Sequence, residues 1–130
     1  MFRFLIVIFL FIGGFASAQI SYMYSDKNMN IYSVRETGIT YDPAQTKDSS
    51  SGTYKGGEPV TKVITPYELN KIKVVFDEAA GDTLSHDKQR NMGSGFFVRY
   101  NKNTVERKMI IKYDSPTQKK IETLLQSLIQ

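Results

Sequence analysis

The chain has 130 residues, of which 41% are hydrophobic and 23% charged, with 17 Lys and Arg against 13 Asp and Glu, one histidine and no cysteine. The lack of cysteine excludes a disulfide framework, a thiolate metal site, a cysteine nucleophile and a lipid-bearing cysteine. A net charge of +4, spread along the chain rather than clustered, falls short of the basic footprint of a nucleic-acid binder, so no nucleic acid partner is expected.

Met1-Phe2-Arg3 supplies a positive start, Phe4 to Ile12 an apolar run, and Ala16-Ser17-Ala18 an Ala-x-Ala site. This order matches a secretory signal peptide, and the apolar stretch is shorter than the roughly 20 residues of a spanning helix. Cleavage is therefore expected near Ala18-Gln19, releasing a chain with no stable membrane span to the periplasm or the medium. Taking these 18 residues from 130 leaves 112, with 16 Lys and Arg against 13 Asp and Glu, or +3. That length suits a single domain over residues 19–130. No Asn-x-Ser or Asn-x-Thr sequon occurs, which favours a bacterial envelope or secreted protein.

Ile20 to Asp26 reads as a short polar and aromatic stretch. Met29 to Tyr41 reads as extended, with Ile31, Val34 and Ile39 apolar and Gly38 marking either a bulge or a turn between two short strands. Residues 42–58 carry Pro43, three consecutive serines from Ser49 to Ser51, and Gly52, Gly56 and Gly57, the composition of a long loop within one domain. Pro59 to Ile64 alternates as a short strand.

Thr65-Pro66-Tyr67-Glu68 has the form of a helix start, with Thr65 as N-cap, Pro66 in the first turn and Glu68 reaching back. Leu69, Ile72, Phe76 and Ala79 recur at helical spacing, flanked by Val75 and Ala80, and Gly81 is expected to end the helix. Asp82 to Met92 is a polar connection. Gly93 to Tyr100 and Val105 to Tyr113 read as a hairpin turning at Asn101 to Asn103. Ser115-Pro116-Thr117-Gln118 starts a closing helix with Ile121, Leu124, Leu125 and Leu128 as its stripe.

The expected fold class is α+β, an antiparallel sheet of about four strands with two helices on one face, in β-β-α-β-β-α order. The two similar caps are explained by capping chemistry alone and do not argue for a duplication.

Histidine is the side-chain type suited to proton transfer near neutral pH and His86 is the only one in the chain; Ser85-His86-Asp87 offers a nucleophile, a base and an acid, though neighbours in sequence do not supply the geometry of a triad. The spacing from His86 to Arg90 places both on one face if this segment forms a helical turn, suiting a carboxylate or other anion. Asp48 to Gly57 resembles a phosphate cradle in content but lacks the P-loop spacing. It reads instead as a recognition loop, making Tyr41, Tyr54 and Lys55 binding candidates. Gly93-Ser94-Gly95 marks a turn or bulge. No carboxylate pair, EF-hand or histidine pair appears, so neither a metal nor another cofactor is expected.

Small cysteine-free domains with this element order resemble periplasmic adaptor and inhibitor modules. The resemblance implies a non-catalytic domain that binds another protein or an envelope component. Two alternatives remain at this point: a small secreted hydrolase using His86, and a structural envelope protein.

Overall fold

A computed structural model describes residues 19–44 and 57–130. Seven strands form one antiparallel sheet: β1 (Ile20–Ser25), β2 (Ile31–Arg35), β3 (Gly38–Asp42), β4 (Val60–Val63), β5 (His86–Asp87), β6 (Gly95–Asn101) and β7 (Thr104–Ile111), in the order β4-β3-β2-β1-β6-β7-β5. Two helices, α1 (Pro66–Gly81) and α2 (Pro116–Ile129), complete the α+β architecture. Each half of the chain runs from strands into a helix.

The expectation of about four strands is corrected to seven. Three differences account for this. Gly38 follows a turn and opens β3, so the extended segment from Met29 to Tyr41 is a hairpin of two strands, β2 and β3. A Cβ at Gly38 would lie 3.1 Å from the Lys62 carbonyl of β4, a tight contact that glycine avoids. The polar stretch at Ile20 is the central strand β1, pairing with β2 on one side and β6 on the other. Tyr22 and Tyr24 point to one face and Ser21, Met23 and Ser25 to the other, the alternation of a strand with one buried side. The connection expected from Asp82 to Met92 contains a 3-10 turn (Thr83–Ser85) and the two-residue β5, which pairs His86 with Ile111.

Both helix starts follow local capping chemistry. The Thr65 hydroxyl accepts the Glu68 N–H and the Glu68 carboxylate accepts the Thr65 N–H, closing the capping box. Ser115 accepts the Gln118 N–H, but the Gln118 side chain takes the Asp114 N–H, one residue before the cap, and donates to the Gly93 carbonyl. Helix α1 includes Gly81 and is capped by Asp82. The hairpin turn is Lys102-Asn103, with φ of 51° and 66°, the doubly left-handed conformation that matches strand twist.

The core lies between the helices and one sheet face. Tyr22, Tyr24, Tyr32, Val34, Ile39, Tyr41, Phe97, Met109 and Ile111 from the strands meet Ile72, Phe76 and Ala79 of α1 and Ile121, Leu125 and Leu128 of α2. Phe76 rests edge-on against Phe97 at 4.7 Å between ring centroids. Helix α2 packs over β3 and β4, whereas α1 rests on Tyr22 and Phe97 of β1 and β6. Among the described residues no helix is long and apolar enough to cross a membrane.

Candidate functional site

With both helices on one face, strand alternation sends a second set of side chains to the other. The register aligns Thr61, Thr40, Ser33, Met23, Val98 and Lys108 across six strands, and Asp42, Ile31, Ser25, Phe96, Ile110 and Asp87 in the next row. This open face has two unlike halves. Over β2, β3 and β4 it is hydroxylated, with a 370 Å³ furrow lined by Ser33, Thr40, Thr61, Arg35 and Asp42. Over β1, β6 and β7 it is apolar: Met23, Phe96, Tyr100 and Ile110 are half-buried and surround Val98, which is 2% exposed.

Arg90 belongs to this face. Its guanidinium donates to the Ser25 hydroxyl at 2.6 Å and lies 5.5 Å from the centre of the Phe96 ring. His86 goes the other way, with Nε2 2.7 Å from the Ala79 carbonyl at the end of α1. The helical turn that would join His86 and Arg90 does not form, because His86 and Asp87 pair with β7, and their side chains serve opposite sides of the sheet. No anion contact shared by the two exists in this geometry.

The position of His86 has a physical role. Helix α1 has no basic residue in its last turn, yet its terminal carbonyls require donors. His86 supplies one at Ala79, and Arg107 of β7 supplies another at Ala80, 3.1 Å away. Beside them, Asp82 accepts hydrogen bonds at 2.6 Å from both the Ser85 and Thr117 hydroxyls. These hydroxyls hold its carboxyl below the usual range, with a smaller contribution from His86. Ser85 therefore donates to a carboxylate, and the His86 Nε2 meets a backbone carbonyl.

Tyr41, expected to offer contact surface, is instead a core residue at 7% exposure, its ring 4.9 Å from that of Tyr32. The parity of β3 directs it beneath α2. Tyr54 and Lys55 lie outside the described residues. Among the described residues no group of three or more histidines, aspartates and glutamates is arranged to hold a metal ion.

Two charged clusters on the covered face are invisible to periodicity. Under α2, the Tyr24 hydroxyl donates to Glu122 at 2.8 Å. Burial raises the Glu122 carboxyl above its usual range, opposed by the Tyr24 hydrogen bond, while nearby Asp26 adds to the rise and Lys27 counters it. Under α1, a bulge in the β6–β7 ladder pairs Arg99 with Arg107 and Tyr100 with Val105, leaving Glu106 without a partner. A bulge re-aims its side chain, and Glu106 sits 3.2 Å from the Arg99 Nε. Arg99 also reaches Asp77 at 3.3 Å and stacks 5.1 Å from the centre of the Phe76 ring. Next to this cluster a cavity of about 470 Å³ opens between α1 and the sheet, walled by Ile20, Tyr22 and Leu69.

Comparison with known proteins finds no matching family model, no similar curated protein and no similar solved structure.

Proposed function

We propose that this chain is an exported, non-catalytic binding domain of the bacterial envelope or secreted fraction, and that it grips a protein partner through the apolar half of its open sheet face. The observation that carries the reading is the contiguity of Met23, Phe96, Val98, Tyr100 and Ile110 on three neighbouring strands. A continuous apolar surface of this kind, rimmed by polar groups, is the usual signature of a protein contact. The cations Arg90, over the Phe96 ring, and Lys108, opposite Val98, border it against the one acid Asp87, opposite Ile110, so the complementary partner presents an apolar patch edged by carboxylates.

Export rests on the order of charge, apolar run and Ala-x-Ala site at the start of the sequence. Fractionation with N-terminal sequencing tests it, and an envelope or secreted form beginning at Gln19 is expected. Cytoplasmic, unprocessed protein would remove the export reading.

The contact surface is tested in cells by placing a photo-crosslinking amino acid at Tyr100 on the open face or at exposed Val74 on α1. A discrete protein adduct is expected from position 100, lost when Met23→Asp is added, and absent from position 74. Equal adducts from both positions, or none from position 100, would exclude the open face as the contact.

A further inference from the structure

We propose that the cavity between the first half of α1 and the sheet binds a small apolar molecule bearing one cationic amine. This site is distinct from the open face, on the opposite side of the sheet. A volume of about 470 Å³ falls within the range of pockets that enclose small ligands, roughly 300–1,000 Å³. Its walls are apolar: Ile20 and the Tyr22 ring from β1, and Pro66 and Leu69 from α1.

Charge decides the head group. Two cations and two acids line the cavity: Arg99, Lys73, Glu106 and Glu36. Arg99 is held between Glu106 and Asp77, and Lys73 pairs with the same Asp77 at 3.4 Å. Both cations are therefore matched by carboxylates from within the protein. Glu36, on the turn between β2 and β3, has no ion-pair partner among the described residues, and Asp77, Glu106 and Glu36 against Arg99 and Lys73 leave one negative charge unmatched. The nearby start of α1, which would otherwise attract an anion, is occupied by the Glu68 carboxylate on the Thr65 N–H at 2.9 Å. An apolar body fits the walls, and a single ammonium at the mouth meets Glu36.

The proposal is tested by titrating 4-phenylbutylamine, its neutral counterpart 4-phenylbutanol and its acid counterpart 4-phenylbutanoate into the purified protein, followed by NMR shifts. The amine is expected to saturate, moving the amide signals of Ile20, Leu69 and Lys73, and to bind at least about twofold more tightly than the alcohol, as an exposed ion pair allows. The acid should bind more weakly than both. Glu36→Gln, on an exposed turn, should bring the amine to the affinity of the alcohol, and Leu69→Trp should abolish binding of either by filling the cavity. Failure of the amine to saturate, equal affinity for amine and acid, or an unchanged preference in Glu36→Gln would overturn the proposal. Because Glu36 lies outside the core, its variant decides the question even where Leu69→Trp fails to fold.

Discussion

Tyr22 and Tyr24 stand two residues apart on β1, project to the same face and share the Phe97 ring, at 6.2 and 5.3 Å, yet their hydroxyls have opposite surroundings. Tyr24 is 1% exposed and its hydroxyl is sealed against Glu122. The space there is so tightly filled that a Cβ at Gly95 would sit 2.2 Å from the hydroxyl oxygen. Tyr22 is 4% exposed overall, but its hydroxyl end meets Arg99 and borders the cavity. Burial raises the ionisation of both phenols above the usual range. Burial of a ring therefore does not tell a sealed polar contact from one that borders an opening; the neighbours of the hydroxyl do. Helix α2 closes over its charged cluster, whereas α1 stops short of closing over Arg99.

The largest effect should come from the ring that supports the Tyr22 side. Phe76 is fully buried, 5.4 Å from Tyr22 and beneath the Arg99 guanidinium. Phe76→Ala is expected to cost about 3–5 kcal/mol in urea unfolding. A loss below about 1 kcal/mol would mean that this end of the core is loose, and that the cavity is a packing defect.

Tyr24→Phe should come next. It removes the buried hydroxyl donor of Glu122 and leaves the carboxyl to Lys27 alone, a loss that costs about 1–3 kcal/mol. A neutral result would show water reaching Glu122 and would erase the contrast between the two tyrosines.

The pH dependence of stability tests the same seal more finely. Burial raises the Glu122 carboxyl in the folded state above its ordinary value of 4.5. Its favourable contribution is then complete below that value and is lost as pH rises through the raised one. Glu122→Gln stays neutral and can still accept from Tyr24. The variant should match the natural protein near pH 4 and gain on it, in thermal midpoint, as pH rises towards 8. A difference that is constant with pH, or that shrinks as pH rises, would place Glu122 in contact with solvent.

The sequence made part of this contrast legible. Thr65-Pro66-Tyr67-Glu68 and the Asn101 to Thr104 turn act over four residues, so the helix start and the hairpin could be read directly. The inward set of α1 was equally plain in its spacing. Strand β1 was missed because its outward serines dilute it, although Tyr22 and Tyr24 at a spacing of two carried the signal. Strand β5, at two residues, has no period to detect. The charged clusters were out of reach for another reason. Gln118 and Glu122 look like solvent positions on a polar helix, and their burial depends on Tyr24, 98 residues before Glu122. The meeting of Arg99 with Glu106 depends on a bulge that residue preferences do not announce. Tyr41 was misplaced because its side of the sheet follows from register with β2, which propensity leaves open.

The smallest expected effect is the most discriminating. Tyr22→Phe keeps the ring in the core and removes only the hydroxyl beside Arg99, whose other contacts to Glu106 and Asp77 persist. Water from the cavity can replace a single hydrogen bond there, so the loss should stay below about 1 kcal/mol, well under that of Tyr24→Phe. The two substitutions are chemically identical and two residues apart on one strand, so differences in the unfolded state largely cancel between them. Equal losses at both positions in urea unfolding would mean that the Tyr22 hydroxyl is as dry as that of Tyr24, and that α1 closes over Arg99 in solution. A smaller loss at Tyr22 ties the contrast to access at the hydroxyl, since the ring, the strand and the face are shared.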